Sequence, residues 1–248
     1  MKNIIHKIKN IRITLIIILS LGLFISCTKK SYYDNTSKYL IHDQFVHFKN
    51  KEFEECKNLY EKAIDRKKHK NYINAFECFH ARYANAINPN EAAHSLYYKL
   101  KIAYEFKAYD YFFNNFLSFI DTYGNEYKTL KYDLLLTEAY AYRKQIKGID
   151  RNVYPNARYV YIITDYLIDM YKYDKINLSY YIYTNSIKLQ KEILDIMDKH
   201  EKYVMSFYKR TGHKEASKKR TEYSEAMTKL KNYKYDLFDN LTKHKFIY

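Results

Sequence analysis

The chain of 248 residues contains few of the residues that form turns, with only four glycines and two prolines. All-β folds and glycine-rich nucleotide-binding loops need many more of them, which argues against sandwiches, barrels, Rossmann folds and P-loop folds. Tryptophan is absent, yet 31 tyrosines and 14 phenylalanines supply enough apolar surface for a core, so the composition excludes a disordered chain. A mean hydropathy of −0.59 excludes a polytopic membrane protein.

The amino terminus has the pattern of an export signal. Residues 1–12 carry four basic residues and no acidic one, and a nearly unbroken apolar run from Ile13 to Ile25 follows. That run is shorter than the roughly 20 residues that span a bilayer, which is typical of a secretory signal. We predict a lipoprotein signal peptide over residues 1–26. Its removal would lower the formal net charge from +15 to +11 and place the protein where no nucleic acid is expected.

The segment 23–27, Leu-Phe-Ile-Ser-Cys, resembles a bacterial lipobox. In such a motif a small residue precedes the cysteine that is diacylated and becomes the mature N-terminus. The resemblance implies lipid attachment at Cys27 and contact with the membrane through that anchor. An uncleaved N-terminal anchor is the alternative. By analogy with Gram-negative lipoproteins, Thr28 after the cysteine points to the outer membrane.

Two further cysteines, Cys56 and Cys78, would lie in an oxidising compartment, where pairing has to be considered. If the chain turns near residue 69 between two antiparallel helices, Cys56 faces roughly residue 83, five positions past Cys78. At about 1.5 Å per residue, that offset and a helix spacing of about 8–10 Å exceed the reach of a disulfide. We therefore expect two free thiols packed in the core, with a disulfide as the less favoured alternative.

The remainder of the chain has the pattern of an all-α protein. Residues 27–50 are polar and lack a clear period, and we interpret them as a lipid-anchored tether. In the domain predicted over 51–232, apolar residues recur at intervals of three and four, and every glycine and proline falls between the periodic segments. A polar C-terminal tail is predicted over 233–248. The expected helices are 52–67, 71–86, 91–107, 109–123, 130–146, 156–173, 178–211 and 213–231.

The seventh predicted helix is longer than the others. Its apolar stripe advances in steps of three and four residues, which indicates one continuous helix on the order of 50 Å long. Such a helix is long enough to brace several neighbouring hairpins. The stripe consists of Ile182, Ser186, Leu189, Ile193, Met197, His200, Val204 and Phe207.

Two helix pairs share an internal spacing of twelve and then four residues. Small residues let two helices cross closely, and a following aromatic ring fills the groove that remains. The spacing resembles that of tetratricopeptide repeats and favours a tetratricopeptide-like helical-hairpin solenoid, with an irregular helical bundle as the alternative. The positions are Ala63, Ala75 and Phe79 in the first pair, and Ala103, Asn115 and Phe119 in the second.

Residues 148–220 carry a more specific pattern. The loop 148–152 reads Gly-Ile-Asp-Arg-Asn, and the following helices carry Leu, His-Glu, Tyr-Val, an aromatic pair, a basic pair, Gly, Ala and Arg in that order. With the lipobox and the repeat layout, this pattern resembles the BamD-type outer-membrane assembly lipoproteins over about residues 51–230. Asn152 and Ser217 depart from the family pattern. The matching positions of the second segment are Leu194, His200, Glu201, Tyr203, Val204, Phe207, Tyr208, Lys209, Arg210, Gly212, Ala216 and Arg220.

The resemblance implies a periplasmic scaffold that is lipid-anchored to the outer membrane. Members of this family bind the periplasmic domains of the BamA barrel subunit, join the other lipoproteins of the assembly complex and help to insert unfolded outer-membrane proteins. A helical solenoid suits such a role because it offers an extended surface to partners. The alternatives are another periplasmic tetratricopeptide-like adaptor lipoprotein, or a surface helical lipoprotein that binds host factors.

No catalytic or metal site is expected. The nine histidines are scattered, and none forms the i, i+4 pair with a neighbouring glutamate that a helical zinc site requires. His200 falls on the apolar stripe of the seventh helix, and we interpret it as a packed histidine satisfied by a hydrogen bond. The sequence therefore predicts a protein that is not an enzyme and uses no cofactor.

Two groups of residues are candidate partner-binding sites. Asp150 and Arg151 either contact a partner or act structurally, with Asp150 capping the next turn and Arg151 pairing with a carboxylate; the structural interpretation is favoured. Residues 199–220 contain eight basic residues and two glutamates, which form either a solvated face or a surface for an acidic partner. We hypothesise contacts with carboxylates of the assembly partner through Lys209, Arg210, Lys218, Lys219 and Arg220.

Overall fold

The computed structural model describes the backbone of residues 51–243 and the side chains of residues 51–232. The predicted signal peptide (1–26), the lipid-attachment residue Cys27 and the tether (27–50) lie outside the described residues. The described chain is helical throughout and contains no strand, which confirms the predicted all-α class. Its helices are α1 (Phe53–Arg66), α2 (His69–Ala84), α3 (Pro89–Glu105), α4 (Tyr109–Tyr123), α5 (Lys128–Gln145), α6 (Tyr154–Tyr173), α7 (Tyr180–Arg210) and α8 (Lys214–Lys243).

The predicted bounds of the first seven helices agree with the structure to within two residues. The last helix does not end near residue 231: α8 continues to Lys243 and occupies most of the segment predicted as a tail. The reason is that no glycine or proline follows Gly212. Polar composition alone does not stop a helix, because it reduces burial without removing backbone hydrogen bonds. Within the described residues, no helix is both long and apolar enough to cross a membrane.

Local sequence signals set several of the helix ends. At α3, Pro89 occupies the first turn and the Asn88 side chain accepts a hydrogen bond from the Glu91 amide at 2.8 Å. The Ser179 hydroxyl accepts one from the Ile182 amide at the start of α7. Such caps satisfy amide groups that lack a partner within the helix, so they fix where each helix begins.

The helices pack in a regular series. Each helix contacts the next along the chain, and the odd-numbered helices also contact one another in order: α1 with α3, α3 with α5 and α5 with α7. No comparable series of contacts joins the even-numbered helices of the described chain. The odd-numbered helices therefore form one continuous layer, and α2, α4 and α6 each cover two of its members.

The residues singled out by the twelve-and-four spacing lie inside this packing. Ala63, Ala75 and Phe79 are fully buried, and the Phe79 ring stacks on Tyr98 of the next helix at 4.6 Å. Ala103 and Phe119 of the second set are buried as well. The third member of that set, Asn115, is half-buried, and its amide donates a hydrogen bond to the Tyr111 carbonyl at 2.9 Å. The asparagine therefore satisfies its polar group within its own helix.

A lysine is buried between the first two helix pairs. Lys99 of α3 is 4% exposed, and its Nζ lies 2.9 Å from Nδ1 of His80. The ring centres of Phe76, Tyr83 and Tyr111 lie 5.1–5.9 Å from the same nitrogen. Burial lowers the pKa of Lys99 to about 8, and burial together with the Lys99 charge lowers the pKa of His80 to about 4. The faces of the three rings attract the ammonium group and compensate part of its lost hydration.

Cys56 and Cys78 form a disulfide, with their Cα atoms 5.5 Å apart, so the expectation of two free thiols is wrong. The error lies in the position of the turn. The chain turns at Lys67, whose φ of 50° places it in the left-handed region, and α2 begins only two residues later. A turn centred on residue 67 rather than 69 puts Cys56 opposite Cys78, because each lies eleven positions from it.

We predict that Cys56→Ser and Cys78→Ser each destabilise the protein by about 3 kcal/mol, because the disulfide closes a loop in the unfolded chain. The free energy of unfolding in urea measures this effect. Maleimide labelling of the unfolded, unreduced protein counts the thiols, and each single variant is expected to show one more than the wild type.

The double variant is the control, because it removes the bond without leaving an unpaired thiol and should be as unstable as either single variant. If Cys56 and Cys78 are both labelled in unreduced wild-type protein, the disulfide does not exist.

Candidate functional site

The hairpin formed by α7 and α8 carries most of the residues that the sequence singled out. The apolar stripe of α7 is buried from Ile182 to Ile193 and again at His200, while Met197 and Val204 are half-buried. At the end of the stripe Phe207 is 47% exposed. The last turns of α7 therefore leave the core and present apolar surface to solvent.

The chain reverses direction after α7 at Gly212. Its φ of 78° lies in the left-handed region that glycine adopts without strain, and the His213 amide donates a hydrogen bond to the Tyr208 carbonyl. The returning helix α8 then packs along α7. This turn places the basic residues that end α7 next to those that begin α8.

The buried carboxylate of Glu201 links the hairpin to α6. Its carboxylate is fully buried and accepts hydrogen bonds from Nη1 of Arg220 at 3.0 and 3.2 Å. The hydroxyl of Tyr154 donates a further hydrogen bond to the same group. A buried carboxylate without such partners would be strongly unfavourable. This ion pair therefore fixes α6, α7 and α8 relative to one another.

A second buried acid, Asp198, links α7 to α8. Asp198 is 5% exposed and accepts hydrogen bonds from Nζ of Lys202 at 2.8 Å and from the Ser224 hydroxyl at 3.3 Å. Lys231 of α8 lies 3.7 Å from Asp198 and also pairs with Asp195, and the hydrogen bond to Asp195 raises the pKa of Lys231. Basic residues of α8 thus neutralise acidic residues of α7 along their contact.

A cavity of about 460 Å³ opens beside the Glu201–Arg220 pair. Its walls are mainly apolar, and its polar side-chain groups belong to Tyr154, Glu201, Arg220 and Tyr223. The guanidinium carbon of Arg220 lies 5.7 Å from the ring centre of Tyr223, which is 59% exposed. The lining residues are Tyr154, Glu201, Arg220, Tyr223, Ala226, Met227 and Leu230.

The loop before α6 differs from the favoured structural interpretation. Asp150 and Arg151 are exposed, and neither makes a hydrogen bond or an ion pair with a described residue. Asn152 takes the predicted role of Asp150, because its Oδ1 accepts a hydrogen bond from the Tyr154 amide at 3.2 Å. The side-chain acceptor therefore lies two residues from the helix, where an asparagine can form this local turn.

His200 holds the same loop against α7. It is 7% exposed, and its Nδ1 lies 2.7 Å from the carbonyl oxygen of Ile149, which requires a proton on Nδ1. This confirms the prediction of a packed histidine satisfied by a hydrogen bond. Among residues 51–232, no three histidine, cysteine or acidic side chains come together in a group that could hold a metal ion.

The basic residues predicted to bind a partner differ in their exposure and in whether they are already paired. The side chain of Arg220 is one-third exposed and is already paired with Glu201. Four residues are exposed and form no ion pair with a described residue: Lys209, Arg210, Lys218 and Lys219.

Exposed aromatic rings accompany these charges. Tyr203, Phe207 and Arg210 lie three or four positions apart and share one face of α7, and Lys219 and Tyr223 share one face of α8. Tyr203 is 40% exposed. We call this set, with Lys209 and Lys218, the hairpin surface. The sequence identified its charges but missed its rings, although their helical spacing beside the basic residues was visible.

The chain matches no protein-family model, no curated protein and no solved structure.

We predict that Arg220→Met destabilises the protein by about 2–3 kcal/mol, because it leaves Glu201 buried without its cation while Arg220 itself is partly screened by solvent. The same change in a Glu201→Gln background should cost less, since no buried charge is then left unpaired. Urea denaturation of the four proteins measures the difference.

Lys219→Met is the matched control, because its side chain is exposed and its effect should lie within about 0.5 kcal/mol. If Arg220→Met lowers the free energy of unfolding equally in the wild-type and Glu201→Gln backgrounds, Arg220 and Glu201 are not coupled.

Proposed function

We propose that this protein is a non-catalytic scaffold lipoprotein of the outer-membrane β-barrel assembly machinery. It is held at the periplasmic side of the outer membrane by a lipid on Cys27. Through the hairpin surface it binds the periplasmic domains of a BamA-type barrel subunit, together with other lipoproteins of that complex. It assists the insertion of unfolded outer-membrane proteins.

The observation that carries this proposal is the series of helix hairpins that ends in the hairpin surface. The odd-numbered helices contact one another in order, and α2, α4 and α6 each pack on two of them. This arrangement is what a tetratricopeptide-like solenoid requires, because each hairpin packs on the previous one through its first helix. A solenoid of this kind acts by presenting surface to partners, and no step of the proposed role needs a catalytic group.

The chemistry of the hairpin surface favours a protein partner with carboxylates. Arg210 and Lys219 extend from a hairpin in which two acids, Asp198 and Glu201, are buried and neutralised by internal cations. The exposed rings of Tyr203, Phe207 and Tyr223 add apolar contact area at small entropic cost. Positive charge steers an acidic partner to the site, and the rings provide affinity once it is docked.

The disulfide supports a location outside the cytoplasm. Cys56 and Cys78 are fully buried and bonded, and structural disulfides persist in oxidising compartments such as the periplasm. The export signal predicted over residues 1–26 leads to the same compartment. The predicted export signal and the disulfide therefore both support the proposed location.

Charge reversal at the hairpin surface tests the partner. A variant with Glu at positions 209, 210, 218 and 219 should recover about tenfold less barrel subunit on co-purification, because attraction is replaced by repulsion. The control reverses four exposed lysines elsewhere, Lys62, Lys68, Lys70 and Lys144, and should retain the subunit at the same net charge.

Depletion of the protein tests its role, since loss of an assembly scaffold should lower the amounts of outer-membrane barrel proteins. If barrel levels hold during depletion, the proposal fails and an adaptor for other envelope proteins, or a surface lipoprotein that binds host factors, becomes the better explanation.

A further inference from the structure

A groove runs between α4 and α6 on the side of the chain formed by even-numbered helices. Both helices pack on α5, but no comparable contact joins them to each other. Leu135, Glu138 and Tyr142 of α5 follow one another at intervals of three and four and therefore share a face. Leu135 packs against the core clusters on both sides of α5, and Tyr142 contacts both neighbouring helices. These three half-buried residues form the floor of the groove.

Aromatic and aliphatic side chains form its walls. The Tyr142 ring stacks on Phe113 of α4 at 4.5 Å and on Tyr159 of α6 at 4.8 Å. Tyr159 is 53% exposed, and the next positions on the two walls, Leu117 and Ile162, are 62% and 51% exposed. Together they present apolar surface around a floor that carries one carboxyl group.

That carboxyl group, on Glu138, lacks the partner that comparable acids have. Asp133, Glu192 and Glu201 each pair with a lysine or arginine of the chain. Glu138 makes no hydrogen bond and no ion pair with a described residue, and burial raises its pKa to about 7. Lys131 lies on the same face of α5 seven positions before Glu138, and it makes no ion pair with Glu138.

We propose that this groove binds a protein segment that presents a lysine or arginine between apolar side chains. The cation pairs with Glu138, and its aliphatic stem lies along the aromatic wall that Tyr142 and Tyr159 form. The flanking apolar side chains cover Leu117 and Ile162. Charge complementarity selects this partner, because the ionised form of this half-buried carboxyl group has no cation in the described chain and gains one from the docked segment.

The groove is a second interaction surface, separate from the hairpin surface. It prefers a partner of the opposite charge. The hairpin surface is basic and suits carboxylates, whereas the groove offers a carboxyl group and suits a basic segment. The inference goes beyond the proposed function and does not depend on it, since its test uses the purified protein and no assembly partner.

Selection of peptides provides the test. Random short peptides displayed on phage are panned against the full chain, purified in detergent micelles, and the selected sequences are synthesised with a fluorescent label. Affinity is measured by fluorescence anisotropy. We expect enriched peptides with a lysine or arginine between apolar residues, and about tenfold weaker binding to Glu138→Gln, which keeps the shape of the side chain and removes its charge.

Two matched controls define the site. Glu61→Gln changes an exposed acid of α1, and Tyr173→Ala changes an aromatic residue of α6 that is 81% exposed and lies outside the groove; both should leave the affinity unchanged. Tyr159→Ala should weaken binding, because it removes one wall.

The inference is overturned if no peptide is enriched, if the enriched peptides lack basic residues, or if they bind Glu138→Gln as tightly as the wild type. Self-association of the chain that Glu138→Gln abolishes would also overturn it, because the occupant would then be a second copy.

Discussion

The buried carboxylate of Glu201 requires a positive partner, and the way in which Arg220 and Tyr154 meet that need determines how the last three helices fit together. The guanidinium reaches it from α8 and the hydroxyl from α6. A carboxylate that is fully buried tolerates little displacement of either group. The direction of α8, and with it the position of every exposed residue near its start, follows from this contact.

The same contact explains which charges of the α7–α8 hairpin face solvent. Where α7 and α8 face each other, acids and bases are paired and shielded, as at Asp198 and Glu201. The four exposed basic residues of the hairpin surface lie where the two helices approach their shared turn. The opposite preference appears in the groove, where Glu138 is the unpaired group. The two proposed surfaces, one basic and one acidic, would suit the chain to holding two different partners at once.

Sequence periodicity predicted the fold class, seven pairs of helix ends and the long α7, because those features depend on apolar spacing and on the few glycines and prolines. It could not place the Cys56–Cys78 bond, since an error of two residues in the centre of a turn moves the opposing position on the partner helix by about four. The burial of Lys99 and Glu201 could not be predicted from the sequence either. A charged residue inside a core is stabilised by groups on other helices, and hydropathy along one helix does not record them. Arg220 was assigned to the surface for the same reason, although its partner Glu201 belongs to the same sequence pattern.

The proposed function depends on contact between the hairpin surface and the barrel subunit of the assembly machinery. Site-specific photo-crosslinking in living cells tests it directly, with a photoreactive phenylalanine analogue at Phe207 and a control at Ile87, which is 88% exposed between α2 and α3. The proposed contact predicts that the analogue at position 207 becomes linked to the barrel subunit and that the one at position 87 does not. Absence of that product at position 207, or equal yields at both positions, would contradict it.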